Sequence, residues 1–127
     1  MAEKKFLKLT EMLIRQHSSA QSFQRGEDYY ATSAVSELAT RGNTLFAEVE
    51  GSSYEPYQVE IVFDEAGITS AYCSCPYDWG GWCKHIVAVL LAVLDDTEAV
   101  EEHPTVAALI ADLNAALIFR PVRRNPR

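Results

Sequence analysis

Long hydrophobic runs are scarce in this sequence. The longest uninterrupted apolar stretch, Ile86 to Leu94, has nine residues, against the ~20 that a membrane-spanning helix needs. No membrane association is therefore expected. Nor does the N-terminus resemble an export signal, because Lys4 and Lys5 lead into an amphipathic stretch, Phe6 to Ile14, that carries Lys8 and Glu11. Positive charge is in short supply: 11 Lys and Arg stand against 18 Asp and Glu, a formal net charge of -7. A pI of about 4.9 is not that of a chain coated for general nucleic-acid binding. Gly-rich phosphate loops and serines or threonines in a nucleophile-elbow context are missing. So are internal repeats and low-complexity segments, and no small-molecule substrate is suggested. Cysteine is sparse and odd in number, with all three residues between Cys73 and Cys83. That rules against a disulfide framework and points to the cytoplasm, where cysteines clustered near a histidine more often hold metal.

What is present suits one globular domain over residues 1–127: 48% of residues are apolar and 23% charged. The charges are uneven. Asp95, Asp96, Glu98, Glu101 and Glu102 crowd together, whereas Lys4, Lys5, Lys8 and Arg15 lie near the start and Arg120, Arg123, Arg124 and Arg127 near the end. Each run reads first as a solvated face, with local basic patches left open.

Apolar periodicity divides the chain into four parts. N-terminal helices occupy 1–32. The first runs from Phe6 to His17 on Phe6, Leu9, Met12 and Leu13, with Thr10 and Glu11 facing away. The second is capped by Ser22 and carries Phe23 and Tyr30 on one face. A β-meander follows over 34–73, in strands Val35 to Thr40, Thr44 to Glu50, Tyr57 to Asp64 and Ile68 to Cys73. In the third strand Tyr57, Val59, Ile61 and Phe63 alternate with Gln58, Glu60, Val62 and Asp64, so one face is apolar. Arg41-Gly42-Asn43 and Glu65-Ala66-Gly67 carry the chemistry of tight hairpins, and 51–56 a looser loop. Ile86 to Leu94 is apolar on every side, which for a helix means burial rather than a surface stripe. An amphipathic helix opened by Pro104, carrying Val106, Leu109, Ile110, Leu113 and Leu117, and an irregular tail complete residues 95–127. The fold class is therefore α+β: a small antiparallel four-stranded meander packed against helices.

One constellation carries chemistry: Cys73-Ser74-Cys75, a seven-residue connector, then Cys83-Lys84-His85. Residues two apart on a strand point the same way, so both sulfurs of the first pair can reach one ion. Cys83 and His85 cannot both lie inside a regular helix and face one point, since two helical residues turn through roughly 200°. The helix is thus expected to start at about Lys84, placing the cluster beside its positive dipole end. Pro76 stops the strand, Gly80-Gly81 permit a reversal, and Tyr77, Trp79 and Trp82 are placed to roof the site or to meet a partner. Three thiolates and one imidazole match tetrahedral structural zinc with no open position for catalysis. A redox dithiol and plainly buried cysteines are the competing readings. His17 and His103 have no ligand-spaced partners and are set aside.

These residues resemble the SWIM-type zinc finger, whose pattern is Cys-x-Cys, a connector, then Cys-x-His. The resemblance to bacterial members extends through Cys75 to Ile86 and upstream to Phe23-Gln24-Arg25-Gly26, Tyr29-Tyr30 and Val49-Glu50-Gly51-Ser52, with the finger at about 57–94. It implies one structural zinc held by Cys73, Cys75, Cys83 and His85. It further implies a module that contacts proteins or DNA within helicase-like, transposase-like or recombination systems. No ATPase motif accompanies it here, so the module is expected to act within a longer chain or through a partner. A protein-interaction adaptor is the leading expectation, because net negative charge disfavours duplex DNA. A nucleic-acid-binding accessory domain using Lys84 and the tail arginines is the alternative. An enzyme, as zinc hydrolase or thiol redox protein, lacks an open ligand position and a supporting acid or base.

Overall fold

The alternation in Tyr57–Asp64 places Val59, Ile61 and Phe63 in the interior and Gln58, Glu60, Val62 and Asp64 outside. In the computed structural model, which describes residues 9–52, 54–76, 80–104 and 110–111, this strand lies within a five-stranded sheet. The strands are β1 (Val35–Arg41), β2 (Thr44–Val49), β3 (Tyr57–Asp64), β4 (Gly67–Cys73) and β5 (Glu101–His103), in spatial order β4-β3-β2-β1-β5. The first four form the expected antiparallel meander.

Both tight turns follow from local chemistry. Arg41 pairs with Thr44 across Gly42-Asn43, and Gly42 takes the positive φ of 62° that the reversal needs. At the other hairpin the Asp64 carboxylate accepts the Ala66 N–H at 2.7 Å, an Asx-type turn.

β5 corrects the four-strand expectation. It runs parallel to β1, pairing Ala39 with Glu101 and Arg41 with His103. Its side chains are all exposed, so no apolar alternation marks it. What brings it to the edge is the residue before it: Val100 is buried in the core, and the chain reaches it through a 3₁₀ turn, Thr97–Ala99.

Three helices are described: α1 (Glu11–Gln16), α2 (Ala20–Ala31) and α3 (Lys84–Asp95). α1 begins later than Phe6 because Thr10 caps it, its hydroxyl accepting the Leu13 N–H at 3.1 Å. Leu9 just before that cap and Ile14 in the first turn are both buried, the placement of a hydrophobic staple. The expected residues 6–8 lie outside the described ones. α2 is capped by Ser19 rather than Ser22, with the Ser22 N–H donating to the Ser19 hydroxyl at 3.0 Å. Capping from Ser19 puts Ser22 at the third helical position, where it is buried, and Phe23 next to it in the core.

α3 is the central helix, with Val87, Ala88, Val89, Leu90 and Val93 sealed from solvent. It contacts all four meander strands on one side and α2 on the other, which is why its apolar residues cover the whole circumference. Each such side chain contributes about 1.5–3 kcal/mol when fully buried. Of the helix expected after Pro104, Ile110 and Ala111 are helical; the rest, and the arginine-rich tail, lie outside the described residues. Among the described residues no helix is long and apolar enough to cross a membrane.

The α2–α3 contact is closest at Gly26. A Cβ there would lie 2.4 Å from Val87 Cγ1 and 3.0 Å from the Lys84 carbonyl oxygen. Alanine would gain about 1 kcal/mol in helix propensity, but overpacking a tight core costs about 1–3 kcal/mol. Because α3 is wedged between sheet and α2, it cannot yield. With an approach as short as 2.4 Å the cost falls at the upper end of that range, so Gly26→Ala is expected to destabilise the fold by up to roughly 2 kcal/mol net, read as a lower denaturation midpoint with an unchanged slope in urea.

Candidate metal centre

The centre lies where β4 ends and α3 begins. Cys73 closes β4 opposite Val59, and because Val59 is a core residue, Cys73 also turns to the helix side of the sheet. The ladder continues one residue further: the Ser74 N–H donates to the Gln58 carbonyl at 3.0 Å, and the Gln58 N–H donates back to the Ser74 hydroxyl at 2.9 Å. This extra pairing holds the backbone between Cys73 and Cys75 in register. Pro76, which has no N–H to offer a ladder, follows Cys75.

The return path is fixed from the opposite direction. Gly80 and Gly81 take φ values of 93° and 75°, and a Cβ on Gly81 would sit 2.9 Å from the His17 carbonyl oxygen. That same carbonyl accepts the Trp82 N–H at 2.8 Å, and the Trp82 and His17 rings stack with centroids 4.7 Å apart. Gly81 and Trp82 thereby tie the connector to the end of α1. Cys83 is the extended N-cap residue of α3 and His85 lies in its first turn, the start expected at about Lys84.

Cys73, Cys75, Cys83 and His85 come together, each offering one ligand atom, and these atoms all lie within 4.8 Å of one another. His85 faces the sulfurs through Nδ1, 3.6 Å from Cys73 Sγ and 3.8 Å from Cys83 Sγ. Zn–S and Zn–N bonds of about 2.3 and 2.0 Å in a tetrahedron separate sulfur from nitrogen by roughly 3.5 Å, so the donor set fits one zinc. Cys83 and His85 are buried, Cys73 and Cys75 half-buried. The imidazole is held between the tilted Tyr57 ring at 4.4 Å and the edge-on Tyr29 ring at 5.3 Å. Its Nε2 is buried and has no hydrogen-bond partner among the described residues.

The electrostatics of the metal-free cluster are in conflict with themselves. The hydrogen bond from the Cys73 thiol pulls Cys83 below the usual thiol range against the upward push of burial, helped by His85 and the Ile86 backbone N–H. The same hydrogen bond, followed by burial, drives Cys73 far above that range. One sulfur ionises at its neighbour's expense. Only a cation lets all three ionise together, which is what a structural zinc supplies.

Of the aromatic residues expected at the connector, Trp82 alone is among the described ones. Trp82 is half-buried and stacks on His17, while Tyr77 and Trp79 lie outside the described residues. His17, set aside by spacing alone, anchors the connector through its backbone and ring. His103 lies at the surface 3.3 Å from a Glu101 carboxylate oxygen. Tyr29 and Tyr57 flank His85; period-two spacing marks Tyr57 only as a packing residue, and Tyr29, part of the Tyr29-Tyr30 pair in the resemblance, has no expected place at the site, helical spacing putting Tyr30 on the face of Phe23.

Comparison with known proteins agrees with this geometry. The family model for the SWIM zinc finger matches residues 57–94. The human zinc finger SWIM domain-containing protein 8 is 33% identical over 88 residues, covering 66% of this chain and 5% of the relative. The bovine protein of the same name is also 33% identical over 88 residues, covering 66% of this chain and 6% of its own length. The Drosophila melanogaster homolog is 36% identical over 76 residues, covering 59% and 4%. The chain thus spans about one-twentieth of the curated relatives it matches. These relatives are animal proteins, so the bacterial resemblance is not borne out, and their names indicate domain content rather than a catalytic activity. No solved structure matches. Family match and Cys/His cluster converge on one structural zinc: residues 57–94 of this chain are a SWIM zinc finger.

Proposed function

We propose that Cys73, Cys75, Cys83 and His85 are the four ligands of that zinc, and that the chain is a non-enzymatic protein-interaction adaptor. The observation that carries this reading is the closed donor set: four protein atoms within 4.8 Å of one another at one strand-to-helix junction, with no carboxylate among them. Four ligands leave no position for a water or substrate, so the metal's part is to hold the junction. When bound, zinc supplies a directional link between sheet and helix. The protein's part is to deliver two sulfurs from the end of β4 and a sulfur and a nitrogen from the first turn of α3. Residues 1–127 act as one domain in this account, the finger being seated on the meander and helices that precede it.

Two observations favour a protein over nucleic acid as partner. The net charge of -7 opposes a polyphosphate backbone. In addition, the sheet face away from α3 exposes apolar surface: Phe46, Glu60 and Tyr72 are consecutive cross-strand neighbours on β2, β3 and β4, with Val62 alongside. Aromatic residues on an exposed sheet face suit contact with another protein. The nucleic-acid reading keeps Lys84 at the start of α3 and the tail arginines, and it predicts steep salt dependence.

Elemental mass spectrometry is expected to find one zinc per chain. Structural zinc contributes on the order of 10 kcal/mol in small fingers, comparable to the whole ~5–15 kcal/mol of a domain. Chelation, or Cys83→Ser, is therefore expected to abolish near-ultraviolet circular dichroism and cooperative melting. Retained metal and unchanged melting in Cys83→Ser would remove that residue from the ligand set.

Proton competition gives a second test. Cys73 is held protonated in the metal-free cluster, so zinc uptake must expel its proton, and affinity must rise with pH and fall on acidification. Calorimetric zinc titrations in buffers of different ionisation enthalpy are expected to show net proton release at neutral pH. A third test reads the partner class: fluorescence anisotropy with duplex DNA is expected to show no binding at ~150 mM salt. Binding that weakens steeply between ~50 and ~200 mM salt would establish the nucleic-acid reading instead.

A further inference from the structure

The two edges of the sheet are built differently. β5 closes one side with three exposed residues, two of them glutamates, which is how soluble proteins discourage a further strand from pairing. The other side ends in β4, seven residues long, and from Gly67 to Cys75 the chain has neither a charged residue nor a proline. Among the described residues β4 pairs with β3 alone. A bulge leaves Thr69 without a partner between Val62 and Phe63, but it disturbs only the hairpin end, and from Ser70 to Ser74 the ladder is regular. The Ser74 N–H donates to Gln58, and hydrogen-bonding direction alternates along an antiparallel strand. Ser70 and Tyr72 therefore turn their backbone groups to β3, while Ala71 and Cys73 turn theirs to the open side.

Charge on this half of the sheet decides what an added strand must carry. None of the 11 Lys and Arg, and no His, lies between Gly42 and Cys83. β2, β3 and the turn after β3 hold Glu48, Glu60, Asp64 and Glu65, and among the described residues none of these is in an ion pair. On the outer face Glu60 stands between Phe46 and Tyr72, and Tyr72 on the edge strand is 60% exposed. A residue opposite Tyr72 on a strand beside β4 stands about 10 Å from Glu60, two strand spacings away. A lysine or arginine bridges that gap by laying its stem and its charge over the Tyr72 ring. On the helix side the same strand meets Ala71 and Cys73, both half-buried, where a small or β-branched apolar side chain extends the core. A second copy of β4 fits less well, since it brings no cation to Glu60 and two chains of net charge -7 repel each other.

We propose that β4 receives an extended, basic segment of a partner protein as a sixth strand, with Lys or Arg on its outer face and small or β-branched apolar residues on its inner one. The inference rests on the zinc-adaptor reading above and names the form and the charge of what the partner presents. Main-chain hydrogen bonds to Ala71 and Cys73 supply affinity, and Tyr72 with Glu60 supplies the preference for a cation beside them. With zinc bound at Cys73 the end of β4 is held in place before the partner arrives, which lowers the ordering cost of binding.

The test uses the zinc-loaded chain, its metal content confirmed by elemental mass spectrometry, titrated with a synthetic peptide about ten residues long that alternates valine and lysine. In 1H–15N NMR, saturable shifts are expected at Ala71, Tyr72 and Cys73. Hydrogen exchange of the Ala71 and Cys73 amides is expected to slow about tenfold or more in the complex, because both gain acceptors. Methylating the peptide nitrogens on the pairing side removes their N–H groups without touching the charge, and is expected to abolish binding. The same peptide with glutamate for lysine is expected not to bind. Glu60→Lys is expected to weaken binding about three- to tenfold, through the loss of one surface ion pair and a repulsion of similar size, with zinc content and melting unchanged. Binding that survives methylation, or shifts that fall away from β4, overturn the strand pairing. A glutamate peptide that binds equally well, or undiminished affinity in Glu60→Lys, overturns the basic partner. Ala71 and Cys73 amides already protected in the peptide-free chain also overturn the proposal, and a dimer's mass in light scattering then assigns the edge to a second copy. A blank titration of zinc-loaded protein sinks the strand pairing alone, whereas protein that takes up no zinc sinks the zinc-adaptor reading beneath it.

Discussion

The convergence of three sulfurs and one imidazole nitrogen at the β4–α3 junction is the constraint on which the remaining structure depends. It demands that β4 end in register, so that Cys73 opposite Val59 turns to the helix side. It demands an extended Cys83 followed at once by helix, so that His85 in the first turn comes back toward the same point. The connector must also return at the correct height, and Gly81, Trp82 and the His17 carbonyl set that height. Protonation makes the arrangement self-defeating without a cation, because Cys73 and Cys83 divide a single ionisation between them. Bound metal converts an electrostatic liability into a directional link.

Part of the surroundings of His85 comes from outside the matched segment 57–94. Along α2, Phe23 is buried in the core, Gly26 packs against Val87 of α3, and Tyr29 meets the His85 ring edge-on. One helix thus fixes the approach of α3 and supplies part of the environment of His85. The similarity to the animal relatives is also longer than the finger: 88 aligned residues against the 38 from 57 to 94 inclusive. A finger cut at residue 57 would lose Tyr29, the Gly26 contact and Gly51, whose added Cβ would stand 2.6 Å from the Tyr57 ring.

Much of this was legible in the sequence wherever one periodicity dominates. The alternation in Tyr57–Asp64, the two turn sequences and the all-round apolar run in α3 each mapped to the element expected, and the Cys-x-Cys and Cys-x-His pairs met at one point. What escaped had no side-chain signal. β5 is held by backbone pairing with β1 and by the buried Val100 that precedes it, and neither alters the pattern of Glu101–His103. The cap of α2 fell on Ser19 rather than Ser22, two serines three positions apart with the same capping chemistry, and the choice is a tertiary one: Ser22 and Phe23 are both buried inside the helix. The bulge in β1, where Glu37 takes a φ of 54° and the register slips between Ser36 and Ala39, likewise obeys the sheet rather than local propensity.

Energy alone does not explain why such a fold carries a metal, since α3 already buries apolar side chains all round its circumference. Apolar burial is non-directional, and a helix surfaced with Val, Ala and Leu on every side packs nearly as well after a small rotation or slide. Val87, Val89 and Val93 are close to interchangeable in shape. Two features remove that degeneracy. Gly26 accepts only a close approach centred on Val87, which limits sliding. The donor cluster restricts rotation, because only one setting brings Cys83 and His85 toward Cys73 and Cys75 together. Zinc therefore specifies the register of the central helix as much as it stabilises it. By the same logic, any surface built jointly from the starts of α2 and α3 is well defined only in the metal-bound state.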